Sequence, residues 1–151
     1  MRLLSINKII SLILIIGALL LLYASVSYFL FLKNISTPQI IFSCFSFLVA
    51  LVQLYAAGSI INERRVGFMI AMTIAILQIV SFSIFGLSYE YNTIATLILK
   101  YNFSLNTISL NVGILEAKIL MSWDINESSF SINFIAILIA RYCYININTK
   151  T

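Results

Sequence analysis

The sequence predicts an all-α membrane protein of four transmembrane helices in an antiparallel bundle, and three observations lead there. Hydrophobic residues make up 62% of the 151-residue chain and charged residues only 9%, where soluble domains carry about a quarter. Its mean hydropathy is +1.06. The charges gather at the ends of long apolar runs rather than within them, as burial in hydrocarbon requires. Finally, the polar stretch Asn62-Glu63-Arg64-Arg65 parts two of these runs, a connection short enough to make their helices antiparallel neighbours. The whole chain, 1–151, is read as one membrane domain.

The first run, residues 9–32, is uncharged and lies between Lys8 and Lys33, long enough to cross a hydrocarbon core about 30 Å thick. A cleaved signal peptide competes with this reading, with Arg2 and Lys8 as its basic start. The apolar character continues through Tyr28-Phe29-Leu30-Phe31-Leu32, beyond where such a peptide ends, so the run is taken as a span. Pro38 opens the second span, residues 38–61, at a position that tolerates a missing donor. After the turn, residues 66–88 form the third span. The fourth, residues 130–147, contains Asn133 near its start and Arg141 near its end, where arginine reaches the headgroups.

This arrangement puts Arg2, Lys8, Arg64, Arg65, Arg141 and Lys150 on one side of the membrane and Lys33, Lys100 and Lys118 on the other. The more basic side faces the cytoplasm, so both termini are expected there. The remaining segment, residues 89–129, is read as an extracytoplasmic loop between the third and fourth helices. In it, Phe103, Leu105, Ile108, Leu110 and Val112 alternate with Ser and Asn, the period of a strand. With a turn near Asn106-Thr107 and a second strand over 114–123, the loop is expected to hold a small β-hairpin. Residues 93–99 are too short to span and fit either an interfacial helix or another strand.

Helices in lipid meet through small residues and polar side chains. Stripes of this kind run along every predicted span: Ser11, Ala18 and Ser25; Ser43, Ser46, Ala50, Gln53 and Ala57; Gly67, Ala71, Ala75 and Gln78; Ser129, Asn133, Ala136, Ala140 and Cys143. Gln53, Gln78 and Asn133 are singled out as polar packing residues inside the membrane. The two glutamines differ in depth by about 6 Å at the helical rise and are expected to bond each other or a partner.

The chain lacks histidine, which removes the commonest general base and metal ligand. Cys44 and Cys143 are far apart in sequence and predicted depth, unlike the close pair of a thiol oxidoreductase, so both are read as packing residues. No predicted span carries Asp or Glu, the groups that proton- or ion-coupled transporters place in the bilayer. Asp124 and Glu127 fit a solvated helix start capped by Asn126 and the neighbouring serines. The triplets beginning at Asn34, Asn102 and Asn126 match the glycosylation acceptor pattern. With a net charge of +4 but no basic stripe, nucleic-acid binding is excluded. Arg64 and Arg65 remain as a topology anchor able to contact anionic lipid or a partner.

The stretch Gly58-Ser59-Ile60-Ile61-Asn62-Glu63-Arg64-Arg65-Val66-Gly67-Phe68 resembles the middle hairpin of small uncharacterised four-span prokaryotic membrane proteins, and the Ile- and Asn-rich composition resembles archaeal examples. That resemblance implies no catalytic residue. The expected function is that of a multi-pass protein of the cell membrane, without enzymatic activity, cofactor or metal, serving as an accessory or structural subunit. It would act through helix association with other membrane subunits or with its own copies. The alternative is a passive channel or transporter component.

Overall fold

The computed structural model describes residues 2–31, 37–84, 87–123 and 128–149. In chain order they form α1 (Arg2–Phe31), α2 (Thr37–Ile61), α3 (Arg65–Ile79), β1 (Val80–Ile84), β2 (Leu87–Asn102), β3 (Thr107–Trp123), β4 (Ser129–Asn133) and α4 (Phe134–Thr149). Lys33, Asp124, Glu127, Lys150 and the triplets at Asn34 and Asn126 lie outside the described residues. Stretches of α1 and α2, Ile6–Ser27 and Ser43–Ile61, are long and apolar enough to cross a membrane, whereas α3 and α4 are shorter apolar helices.

The two long helices run antiparallel in a register set by small residues. Ser11 donates to the Ala57 carbonyl at 3.2 Å, and Ser43 donates to the Ser25 carbonyl at 2.9 Å. Ala18 and Ala50, midway between these bonds, are buried in one cluster with Leu21. Each seven-residue step along α1 therefore meets a seven-residue step back along α2, which keeps the same faces together. Serine-to-backbone bonds at both ends hold the backbones close without burying an unpaired hydroxyl. At the end of the bundle that carries the Asn62 to Arg65 turn, Ile10, Ile60, Phe68, Cys143 and Ile147 join the main apolar core, so α4 closes the bundle against α1 and α3.

The turn itself is a helix cap. Arg64 N–H donates to Ser59 O at 2.8 Å and Glu63 N–H to Ile60 O at 2.9 Å, while Glu63 has φ of 55°. This is the Schellman arrangement, with Glu63 at the left-handed position that glycine usually fills. Glycine is needed instead at Gly67, where a Cβ would lie 2.6 Å from Ser59 Cβ and 2.7 Å from Ile60 N. At Gly58 nothing would lie within 4 Å of one. The α2–α3 crossing thus depends on one of the two flanking glycines.

The all-α four-span expectation is corrected by the runs 66–88 and 130–147, neither of which is a continuous helix. The third run stops being helical at Ile79 and continues as β1; the fourth begins as β4 and becomes helical at Phe134. Both strand segments alternate apolar residues with serine, Val80-Ser81-Phe82-Ser83-Ile84 and Ser129-Phe130-Ser131-Ile132-Asn133. Total apolarity satisfies a span, but the two-residue period satisfies a sheet. The strands pair antiparallel from Val80 opposite Ile132 to Ser83 opposite Ser129, so the two half-helices are joined by two half-strands.

Residues 89–129 are likewise not a separate outer loop with a small hairpin. β2 and β3 form one hairpin along their full lengths, closed by a turn at residues 103–106 rather than at Asn106-Thr107. Asn102 Oδ1 accepts from the Ser104 and Leu105 amides at 2.9 and 3.1 Å, and Asn106 takes φ of 50°, an Asx turn that asparagine favours. Residues 93–99 belong to β2. Opposite Ile94 and Ala95 the register slips by one residue of β3, a bulge that bends the hairpin.

That bend closes the sheet on itself. The start of β2 pairs antiparallel with β1 (Phe82 opposite Tyr89), its end pairs antiparallel with β4 (Tyr101 opposite Phe130), and β1 and β4 pair antiparallel with each other. All three relations hold only if β2 reverses direction between Tyr89 and Ile98. Residues directly opposite share a face, so Phe82, Phe130, Tyr101 and Ile108 form one cross-strand row and Val80, Ile132, Leu99 and Leu110 the next. The opposite face carries Ser81, Ser131, Lys100 and Ser109 in one row and Ser83, Ser129, Asn102 and Thr107 in another. Ser81, Asn92, Thr96, Ser129 and Asn133 are buried on this polar side, which is therefore the inside of the curl.

Gly67→Ala is expected to destabilise the protein by about 1–3 kcal/mol through overpacking, whereas Gly58→Ala is expected to be neutral or to gain up to about 1 kcal/mol of helix propensity. Thermal unfolding of the two variants in detergent, followed by circular dichroism, checks the contrast.

Candidate functional site

The inside of the fold is polar at one place, where β2 returns between the helices. Gln53 on α2 is fully buried, and its Nε2 donates to the Tyr91 hydroxyl at 2.8 Å. Gln78, at the end of α3, bonds the same Tyr91 side chain. The two glutamines therefore converge on a tyrosine from the segment predicted to lie outside the membrane. Tyr89, two residues earlier on the same face, donates to Leu77 O at 2.8 Å and so satisfies one of the carbonyls left open where α3 stops.

Asn133 marks the change from β4 to α4. Its Oδ1 accepts from the Ile135 and Ala136 amides at 3.1 and 3.4 Å, the bonding of an N-cap, and from the Leu97 amide at 3.4 Å. The cap expected around Asn126 is thus made by Asn133, whose side chain ties the helix start to β2. Asn92, on the inner face, donates to Glu90 Oε1 at 2.9 Å. Among the described residues, Gln53 Oε1, Asn92 Oδ1 and Asn133 Nδ2 are buried atoms with no hydrogen-bond partner. Native interiors keep few such atoms. Together they offer two acceptors and one donor.

A cleft of about 20 Å³ runs between α1, α3 and α4, with Leu14, Ala71, Ile74, Ala75 and Ala136 on its walls and Gln78 as its one polar lining residue. It is large enough for about one water. Among the described residues no three His, Cys, Asp or Glu side chains come together to hold a metal ion. Cys143 is buried in the core, Cys44 is exposed, and both are free. Arg64 and Arg65 are exposed at the turn.

The small-residue stripes lie inside the protein. Ser43, Ser46, Ala50, Gln53 and Ala57 of α2, Gly67, Ala71, Ala75 and Gln78 of α3, and Ser11, Ala18 and Ser25 of α1 are all buried. Sequence reading did not find Tyr91, Asn92 or Thr96, because it placed their segment in a loop. The available signal was the alternation that begins at Val80. No protein-family model, curated protein or solved structure matches the chain.

Tyr91→Phe is expected to cost about 1–3 kcal/mol, since it strips two buried glutamines of their shared partner. Thermal unfolding of the wild type and the Tyr91→Phe variant in detergent checks the difference.

Proposed function

We propose that this protein is a multi-pass component of the cell membrane, with both termini and the Asn62 to Arg65 turn on the cytoplasmic side. It acts there as an accessory or structural subunit rather than as an enzyme. The observation that carries this reading is the distribution of its surfaces. The small and polar residues of the helices are spent on internal packing, while their outward faces are aliphatic or aromatic, as with Leu12, Leu19, Leu48, Leu51, Met69 and Leu138. Such faces suit lipid and carry no pattern for docking another helix. Contacts with other subunits therefore fall to the two polar ends. One is the exposed Arg64-Arg65 pair, suited to acidic groups or anionic headgroups. The other is the exposed polar side of the hairpin tip, with Thr107, Ser109 and Asn111.

A second reading, a passive path for water or small neutral solutes, is favoured by the buried Asn92 and Asn133 atoms on the inner face of the curl, which have no partner among the described residues. Purification in mild detergent followed by mass spectrometry and sizing separates the two. The subunit reading expects a partner retained in fixed stoichiometry and lost when Arg64→Ala, Arg65→Ala and Ser109→Lys are combined. Recovery of the chain alone, together with solute flux into vesicles holding only this protein, supports the path instead.

A further inference from the structure

We infer that the apolar face of the sheet around Leu99 and Ile108 to Val112 is a lipid-contacting surface, occupied by acyl chains. This rests on the membrane reading above and extends it to a part of the protein that is not helical. On the apolar side of the hairpin Leu99, Ile108, Leu110 and Val112, the last opposite Leu97, are exposed at 39, 73, 62 and 69%. Side chains of this size and number on a water-facing sheet form the kind of apolar patch that marks an interaction surface. No charged residue interrupts the rows, while Lys100, Ser109 and Asn111 lie on the opposite face.

The occupant follows from continuity and length. β1 leaves α3, and β4 enters α4, with no intervening residue, so the apolar rows begin where those two short apolar helices end. Residues Ile76 and Leu77 of α3 and Phe134 and Leu138 of α4 are exposed beside the junctions. A 15-residue α3 measures about 22 Å, short of a hydrocarbon core of about 30 Å. Five strand residues add about 16 Å, and the composite reaches across. Apolar-out, polar-in alternation is also how a sheet meets lipid. Among the described pairings β3 bonds only to β2, and a free strand edge needs water. That edge therefore opens to the side where Thr107, Ser109 and Asn111 are exposed, which faces water, while the apolar side faces the acyl chains.

Spin labels at single cysteines test this, in a chain carrying Cys44→Ser and Cys143→Ala and reconstituted into phosphatidylcholine vesicles. The sites are Ile108→Cys, Ser109→Cys, Leu110→Cys, Asn111→Cys and Val112→Cys, with Leu19→Cys and Leu51→Cys on α1 and α2 as references for lipid exposure. Collision with oxygen relative to a water-soluble nickel complex should alternate along 108–112. It should be several-fold higher at 108, 110 and 112 than at 109 and 111, and close to the reference sites in sense. Nickel access at both parities, with the reference sites oxygen-rich, overturns the inference and leaves the membrane reading standing. So does shielding of 108, 110 and 112 from both reagents with spin–spin broadening, which means a second copy covers the face. Nickel access at Leu19→Cys and Leu51→Cys overturns the membrane reading itself.

Discussion

Where a helix stops inside an apolar fold, its last carbonyls and the amides that follow still need partners, and this constraint organises the protein. α3 ends at Ile79 and α4 begins at Phe134, and the chain on the far side of each boundary meets the need by pairing with the other. β1 and β4 bond to each other, β2 bonds to both, Tyr89 takes the Leu77 carbonyl, and Asn133 takes the first amides of α4. Neither short helix is completed alone. Because one strand serves both, β2 has to double back, and the bulge opposite Ile94 lies in the stretch where it does.

The doubling-back also explains the polar interior. With the apolar residues of β1 and β4 outward, their serines and asparagine fall inward, and the curl buries them where the helices supply little to bond. Tyr91, on the other face, is the point at which the sheet is fixed to the bundle: its hydroxyl reads Gln53 on one helix and Gln78 on the next. Removing either glutamine leaves the other bond in place, but removing the hydroxyl frees both. Among the described residues, Gln53 Oε1, Asn92 Oδ1 and Asn133 Nδ2 are buried there without a partner.

Much of the helical part was legible in the chain. The stripe at Ser11, Ala18 and Ser25 and its counterpart on α2 name the inner faces, and the four residues after Ile61 name the turn. What composition concealed was the change of period inside two apolar runs. Val80 to Ile84 and Ser129 to Asn133 are as hydrophobic on average as a helix flank, yet serine at every second position has a direct strand meaning. The hairpin misled in a different way. Its apolar side stays exposed, so the alternation near Ile108 read as a small half-buried hairpin, and the long partner strand through residues 93–99 had no turn signal of its own. Which residues meet at Tyr91 depends on the reversal of β2, and no local pattern in the sequence specifies a reversal of that kind.

The change from helix to strand at Ile79 and back at Phe134 is the claim on which the rest stands. Solid-state NMR of the uniformly labelled protein in bilayers reads it directly from the Cα and Cβ shifts of residues 80–84 and 129–133. Extended-strand shifts across both segments, with cross-peaks between Phe82 and Phe130, are the predicted result; helical shifts running unbroken from Arg65 through Ile84 would contradict it.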